Sequence, residues 1–330
     1  MLFPFQRSIP VQVTDEPIGR HDADKATRPA TEIFGRGFAY REPVGREWQN
    51  GADSNAFKDR SMATLTPDEL TQYKTRGYVV PSFRLSEQRV GVLQSALEEL
   101  LERNPGIRPE QLISVHVQPP DGAPNAEGTR GVKAFLDLAR DPDILDLVEN
   151  AIGPDIVLWG CGMFCKPSSD GMEVPMHQDG HYWPIHPLAT CTVWVAIEDS
   201  DKGNGCLRVV PGSHRNKALH PHSTETGHFA LSERIAPEAY ELDNVVDVEL
   251  KAGQMSLHDV YMIHGSNPNT STRRRTGIAL RYMPASSYWD RGKLSPDASD
   301  LVVNYASRPL WLVRGTDTSG RNDFQVGHYN

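Results

Sequence analysis

The segment that decides the fold lies just past the middle of the chain and reads Pro175-Met176-His177-Gln178-Asp179-Gly180-His181-Tyr182-Trp183. In an extended strand, residues two positions apart point to the same face. His177 and Asp179 can therefore offer an imidazole nitrogen and a carboxylate oxygen to one metal ion. A lone His-x-Asp pair is common by chance, so this segment predicts a metal site only together with a second one.

The second segment supplies the missing ligand and reads His264-Gly265-Ser266-Asn267-Pro268-Asn269-Thr270-Ser271-Thr272-Arg273-Arg274-Arg275. Its Asn-Pro-Asn-Thr-Ser part is typical of a turn. In a hairpin symmetric about the Asn269–Thr270 bond, His264 lies directly opposite Arg275, and directly opposed residues share a face. A slip of one residue would present Arg274 instead. We therefore expect His264 and Arg275 to enter one cavity.

The two segments together point to a particular chemistry. Two histidines and one carboxylate that leave open positions on the metal are the ligand set of non-haem iron(II) oxygenases. The planar guanidinium of Arg275 suits the distal carboxylate of a dianionic co-substrate whose keto-acid end chelates the metal. The sequence thus predicts a metal site beside an anion site.

Outside these two segments, the sequence pattern changes near residue 156 from one typical of helices to one typical of β-strands. A capping box at Thr66-Pro67-Asp68-Glu69 opens a helix, and Ser86 caps a second one. Two further helices are expected over 131–140 and 143–152, and a helix near 230–241 is expected in the long polar excursion 214–244. Short apolar or β-branched runs separated by turn residues predict strands over 156–159, 192–197, 207–210, 245–250, 255–258 and 277–282. This order indicates an α+β fold whose core is mainly β.

Four motifs in this order resemble the phytanoyl-CoA dioxygenase family of iron(II)- and 2-oxoglutarate-dependent oxygenases. They are His177-Gln178-Asp179, Asn204-Gly205-Cys206-Leu207, Pro211-Gly212-Ser213-His214, and His264-Gly265-Ser266 through Arg275. The resemblance covers roughly residues 65–285. It implies a double-stranded β-helix (a jelly roll of the cupin-like kind) with flanking helices.

The resemblance also implies the roles of site residues. His177, Asp179 and His264 would bind iron(II), and Arg275 would grip the distal carboxylate of 2-oxoglutarate. Further co-substrate or pocket contacts are implied at four positions: Lys166, Thr192, Trp183 and Ser266. Similar proteins that halogenate carry a small residue in place of the carboxylate ligand, so Asp179 favours hydroxylation, or another oxidation with O2, over halogenation.

The expected substrate is a small polar molecule, with secondary metabolites and amino-acid-like compounds as candidates. A CoA thioester is less favoured than a small polar or cationic molecule, because the chain has no evident phosphate-binding loop and a formal net charge of −9. Two alternatives stay open: a zinc-dependent hydrolase that uses the same three ligands, and a non-catalytic cupin-like metal-binding protein. Arg275 argues against the hydrolase, which has no general reason to place a guanidinium there.

Composition indicates which classes of partner are disfavoured and how the chain is organised. The acidic balance disfavours a nucleic-acid partner, and no run approaches the roughly 18 apolar residues that span a bilayer. Four cysteines without a Cys-x-x-Cys pair fit buried thiols in a reducing cytoplasm. We expect an irregular N-terminal arm over residues 1–62 and one oxygenase domain over 63–330, acting as a monomer or homodimer.

Several residues near the motifs are expected to have structural roles. His258 is expected to be a core histidine or an outer partner of the ligands, with a role as a substitute ligand as the less favoured alternative. Trp194 is expected to be a core residue. The histidines of the polar excursion, among them His222, are expected to be solvated, and Arg274 to be a surface charge. His181 has no assigned role.

Overall fold

Four α-helices open the part of the chain that this computed structural model describes, which comprises residues 63–224, 226–293 and 304–329. They are α1 (Pro67–Arg76), α2 (Glu87–Arg103), α3 (Lys133–Ala139) and α4 (Pro142–Ile152). The predicted capping box between Thr66 and Glu69 is present at α1, and Ser86 caps α2. The irregular arm predicted for residues 1–62 lies outside the described residues.

The rest of the fold is mainly β, as predicted. The strands are β1 (Tyr78–Val79), β2 (Ile156–Lys166), β3 (Val174–His177), β4 (Ile185–His186), β5 (Cys191–Ala196), β6 (Leu207–Val209), β7 (His222–Thr224), β8 (Glu233–Ile235), β9 (Val246–Val248), β10 (Met255–Asp259), β11 (His264–Ser266), β12 (Arg275–Pro284), β13 (Tyr288–Trp289) and β14 (Trp311–Arg314). The larger sheet has the order β1-β10-β5-β12-β2-β14, and the smaller has the order β3-β11-β6-β9. This is the double-stranded β-helix class with flanking helices, without closure into a barrel.

Side chains alternate along a strand, so the two faces of the larger sheet contact different parts of the molecule. On β12, Ile278, Leu280 and Tyr282 belong to the same buried cluster as the helix residues Leu97 and Leu147. The opposite face of the same strand carries a different set: Arg275, Gly277, Ala279 and Arg281. The helices therefore cover one face of the sheet, and the other is left to line an internal site.

The predicted hairpin between His264 and Arg275 is wrong. β11 pairs with β3 and β6 in the smaller sheet, whereas β12 pairs with β2 and β5 in the larger sheet. The physical reason lies at Asn269, whose side-chain amide donates to the carbonyls of Pro167 (2.8 Å) and Arg273 (2.7 Å). These bonds pin the turn to the end of β2, so the chain crosses between sheets instead of folding back.

The helix expected near residues 230–241 is present only as a short 3-10 helix, Pro237–Ala239. The excursion 214–244 instead contains the antiparallel pair β7–β8 and two short 3-10 turns, Pro237–Ala239 and Leu242–Asn244. Pairing of β8 with β7 takes the residues that would have begun the helix. No helix among the described residues is long and apolar enough to cross a membrane.

Candidate metal and co-substrate site

His177, Asp179 and His264 meet at one point in the smaller sheet. His264 at the start of β11 lies directly opposite His177 at the end of β3. Strand β3 ends at His177, but Gln178 keeps an extended backbone (φ −120°, ψ 125°), so Asp179 still returns to the same side. One ligand atom from each of the three buried residues lies within 4.8 Å of the other two.

Hydrogen bonds orient the two imidazoles of this triad. Nδ1 of His177 lies 2.8 Å from the carbonyl of Pro175, and Nδ1 of His264 lies 3.0 Å from that of Met262. A protonated Nδ1 that donates to a carbonyl leaves the Nε2 lone pair free for a metal. The two Nε2 atoms lie 3.5 and 3.9 Å from Oδ1 of Asp179, on the side where a shared ion would sit.

Burial and neighbouring charges shift the pKa values of His264 and Asp179 in directions that suit metal binding. Burial, reinforced by His177, lowers the pKa of His264 well below its ordinary value, which keeps its imidazole neutral. Burial alone would raise the pKa of Asp179, but the neighbouring histidines and Arg281 hold it well below its usual range. Two imidazoles and a carboxylate form a donor set that fits a divalent ion with open positions.

Arg275 lines the same cavity as the triad, which we call the first cavity. It is only 2% exposed, and its guanidinium donates to the carbonyls of Gly205 (2.7 Å) and Phe164 (3.2 Å). Its central carbon lies 5.4 Å from the ring centre of Trp194. Burial lowers the pKa of Arg275 to about 10, so it stays cationic at neutral pH. Within the described residues no carboxylate pairs with it, so the cation is free to receive an anionic ligand.

The remaining predicted contacts divide among three places. Ser266 and Thr192 line the first cavity. Trp183 lines a different cavity, described below. Lys166 lines neither cavity, and its amine donates to the backbone carbonyls of Ser266 (3.3 Å) and Asn267. Burial, followed by the charge of Arg275, lowers the pKa of Lys166 to about 6.

A second cavity adjoins the triad and shares His177 and Asp179 with the first. It is the larger of the two, with about 930 Å³ of space between its lining atoms against about 430 Å³, part of each open to solvent. Its walls are rich in aromatic rings and arginines: Trp159, Tyr182, Trp183, Arg281, Trp289, Tyr305 and Arg308. The excursion contributes Ala230 and Leu231 to the same lining. The metal triad therefore lies between two cavities of different character.

Several residues that line this site were not predicted from the sequence. Trp194 packs in the core as expected, but it also lines the first cavity. Arg281 lies on the same face of β12 as Arg275, and their even spacing was a readable signal. Tyr305 and Arg308 come from a stretch in which the sequence carries no motif.

The expectation for His222 is wrong, because this histidine is half-buried. Its ring stacks on His181 with centroids 4.0 Å apart, and its Nε2 accepts a hydrogen bond from the backbone of Gln178 (3.1 Å). Nε2 of His181 in turn lies 3.1 Å from a carboxylate oxygen of Glu233. His258 is buried, with Nε2 3.8 Å from Oδ2 of Asp179. Arg274 points away from the cavity and pairs with Glu198 and Glu98.

Comparison with known proteins identifies the family. Residues 73–277 match the family model described as phytanoyl-CoA dioxygenase, which is more than half of the chain. The chain belongs to the phytanoyl-CoA dioxygenase family. Members of this family are iron(II)- and 2-oxoglutarate-dependent oxygenases.

Relatives and solved structures agree with this placement in the phytanoyl-CoA dioxygenase family. A probable alpha-ketoglutarate-dependent hypophosphite dioxygenase of Stutzerimonas stutzeri is 31% identical over 157 residues, which cover 47% of this chain and 54% of that one. The peroxisomal phytanoyl-CoA dioxygenase of Bos taurus is 32% identical over 199 residues, or 54% and 58% of the two chains. The chain thus spans little more than half the length of these relatives. The solved non-heme monooxygenase ThoJ is 27% identical with a TM-score of 0.57, over 77% of this chain and 86% of that one.

Proposed function

We propose that the chain is an iron(II)- and 2-oxoglutarate-dependent dioxygenase that hydroxylates, or otherwise oxidises, a C–H bond of a small polar molecule. In this proposal His177, Asp179 and His264 hold the iron, and Arg275 binds the distal carboxylate of 2-oxoglutarate. Residues 63–330 act as one domain on a small-molecule substrate. When bound, iron and 2-oxoglutarate supply the oxidising power by activating dioxygen as 2-oxoglutarate becomes succinate and carbon dioxide.

The observation that carries the proposal is Arg275, a buried cation without an ion pair among the described residues, in the same cavity as the triad. A buried charge is costly unless it is paired. A dianion that spans from the triad to Arg275 would supply the missing charge. A zinc hydrolase would use the same triad but would leave Arg275 without a role.

The chain's own residues have three tasks in this chemistry. The Nδ1 bonds of His177 and His264 to backbone carbonyls fix both rings, so their Nε2 atoms are held ready before any ligand binds. Trp194 lies beside Arg275 and excludes water from it, which strengthens the interaction with a carboxylate. Asp179 occupies the position that a halide would need, which favours transfer of oxygen to the substrate.

Anaerobic titration with iron(II) and 2-oxoglutarate tests this function. We expect a visible metal-to-ligand charge-transfer band that needs both components, followed by succinate formation when oxygen is admitted. A protein that binds zinc and hydrolyses esters or amides but gives no band would establish the hydrolase instead. A protein that gives the band but never releases succinate with any candidate substrate would be the binding protein.

A further inference from the structure

Arg281 is a second guanidinium aimed at the metal triad. It lies six residues after Arg275 on the inner face of β12 and lines both cavities. The two residues between them on that face, Gly277 and Ala279, are both small. A Cβ on Gly277 would lie 2.0 Å from the ring of Trp194, so the small residue here makes room for that ring.

Within the described part of the chain, Arg281 has neither a carboxylate within ion-pair distance nor a hydrogen-bond acceptor. Three aromatic rings surround it instead, with centroids 5.4–5.8 Å from its central carbon: Trp183, Trp159 and Phe164. Burial lowers the pKa of Arg281, and the charge of Asp179 opposes this. Aromatic faces offset only part of the cost of burying a cation.

Apart from the triad members His177 and Asp179, the other charged groups of the second cavity are paired within the protein. Arg308 pairs with Glu127 at 3.1 Å and donates to the hydroxyl of Ser114 at 2.9 Å. Glu110 pairs with Arg108 at 3.1 Å and accepts a hydrogen bond from the backbone of Met172. The contrast leaves Arg281 as the cation of this lining that still needs an anion.

Strand β2 is shaped around this guanidinium. Gly162 lines the second cavity, and a Cβ at this position would lie 2.9 Å from Nη1 of Arg281. Any larger residue at 162 would push the guanidinium out of its place. The glycine thus preserves both the position of the arginine and the access to it from the cavity.

We propose that the second cavity binds the substrate through an oxyanion, a carboxylate or a phosphonate, and that Arg281 is its anchor. This rests on the proposed function and names the substrate class: an acid whose apolar part packs among Trp159, Trp183 and Trp289. Because Arg281 also borders the triad, the anchored acid presents a nearby carbon to the metal side of the cavity. The cationic substrate considered from the net charge alone is thereby replaced by an anionic one.

Matched probes test the anchor without knowledge of the natural substrate. 3-Phenylpropanoate, 2-phenylethylphosphonate and the neutral 3-phenylpropanamide are titrated anaerobically into the iron(II)–2-oxoglutarate complex, and tryptophan fluorescence reports binding. We expect the acids to bind about 10- to 100-fold more tightly than the amide, the range of a charge-assisted hydrogen bond. The better of the two acids tells carboxylate from phosphonate recognition.

Variants at Arg281 then decide the assignment. Arg281→Gln should abolish the preference for acid over amide, leave amide binding unchanged and keep the charge-transfer band. Arg281→Lys should keep part of the preference, and Arg274→Gln, an outward-facing arginine, should keep all of it. Retention of the acid preference in Arg281→Gln would overturn the proposal. So would binding of both acids by the unchanged chain that is no tighter than binding of the amide, or that does not saturate.

The same titration separates failure of the anchor from failure of the proposed function. If Arg281→Gln loses the charge-transfer band, Arg281 belongs to the co-substrate site and the anchor proposal is wrong. If the unchanged chain gives no band, the proposed oxygenase is wrong, while fluorescence still reports whether Arg281 selects acids.

Discussion

The two cavities that meet at His177 and Asp179 differ in where their residues come from. Thr192, Ser266 and Arg275 of the first cavity all lie inside the region matched by the family model, residues 73–277. The second cavity takes Trp289, Tyr305 and Arg308 from beyond that region. The difference teaches that only part of the site lies in the region that defines the family. Under the proposed function, the first cavity would bind the co-substrate and the second cavity would select the substrate.

The comparison also explains the two arginines of β12. Each is a cation without an ion pair among the described residues, and each borders the triad. Arg275 is held by carbonyls of Gly205 and Phe164 at a fixed position, which suits one invariant ligand. Arg281 is held only by aromatic faces, which suits a ligand that differs among family members.

The largest effect is expected where the two cavities meet. Asp179→Ala should abolish iron binding and reduce succinate formation by more than the roughly 10- to 100-fold that loss of an outer partner costs. His258→Gln is the matched control, because His258 is equally buried and 3.8 Å from Asp179 but is assigned no bond to iron. Its iron affinity should fall by no more than the roughly 10- to 100-fold expected for an outer partner. Equal losses in the two variants would place His258 among the ligands.

The next effect concerns the excursion 214–244, which contributes Ala230 and Leu231 to the second cavity. Gln178, buried between two members of the triad, donates to the carbonyls of Ala218 (3.0 Å) and Tyr261 (2.7 Å) and accepts from the backbone of His220 (2.8 Å). Gln178→Ala removes three hydrogen bonds made by a buried amide and should cost about 1–3 kcal/mol of unfolding free energy. Hydrogen exchange should accelerate across residues 218–224, while the iron–2-oxoglutarate band persists.

Gln254→Ala removes a single side-chain bond, to the backbone of Lys251, and is the control for the loss of a glutamine. It should leave exchange in residues 218–224 unchanged. If Gln178→Ala also leaves this exchange unchanged, Gln178 does not fasten the excursion beside the triad.

The smallest effect concerns support of the first cavity by Lys166. Its folded pKa of about 6 lies below the value near 10.4 of an unfolded lysine. Between these values the unfolded chain holds a proton that the folded chain lacks, so the unfolding free energy rises with pH by up to about 1.4 kcal/mol per unit. Lys166→Met should remove this rise. Urea unfolding between pH 6.5 and 8.5 measures the unfolding free energy of both proteins. If it changes with pH equally in the two proteins, Lys166 is not a buried neutral amine.

Much of the fold could be predicted from the sequence because its signals are local. The capping box at Thr66, the cap at Ser86 and the alternating strands each depend on neighbouring residues, and the structure contains them. The hairpin prediction failed because Asn269 bonds to the carbonyl of Pro167, about a hundred residues away, and no local pattern reveals that contact.

The site was only partly predictable, because some of its residues belong to local motifs and others are brought in by distant parts of the chain. The convergence of His177, Asp179 and His264 follows from motifs, and Arg275 shares their cavity even though the route proposed for it was wrong. The second cavity depends on the tertiary position of Arg308 and other residues after 285, where the sequence has no motif. The even spacing between Arg275 and Arg281, which places both on one face of a strand, was the one sequence feature that could have predicted part of it.

The central claim is that Arg275 and the triad together hold one dianionic co-substrate. The most direct test compares the affinity for 2-oxoglutarate, read from the anaerobic iron(II) charge-transfer band, in Arg275→Ala and in its outward-facing neighbour Arg274→Ala. We expect Arg275→Ala to lose about 10- to 100-fold in affinity for 2-oxoglutarate while iron binding is retained, and Arg274→Ala to lose almost none. Equal affinity in the two variants would contradict the account.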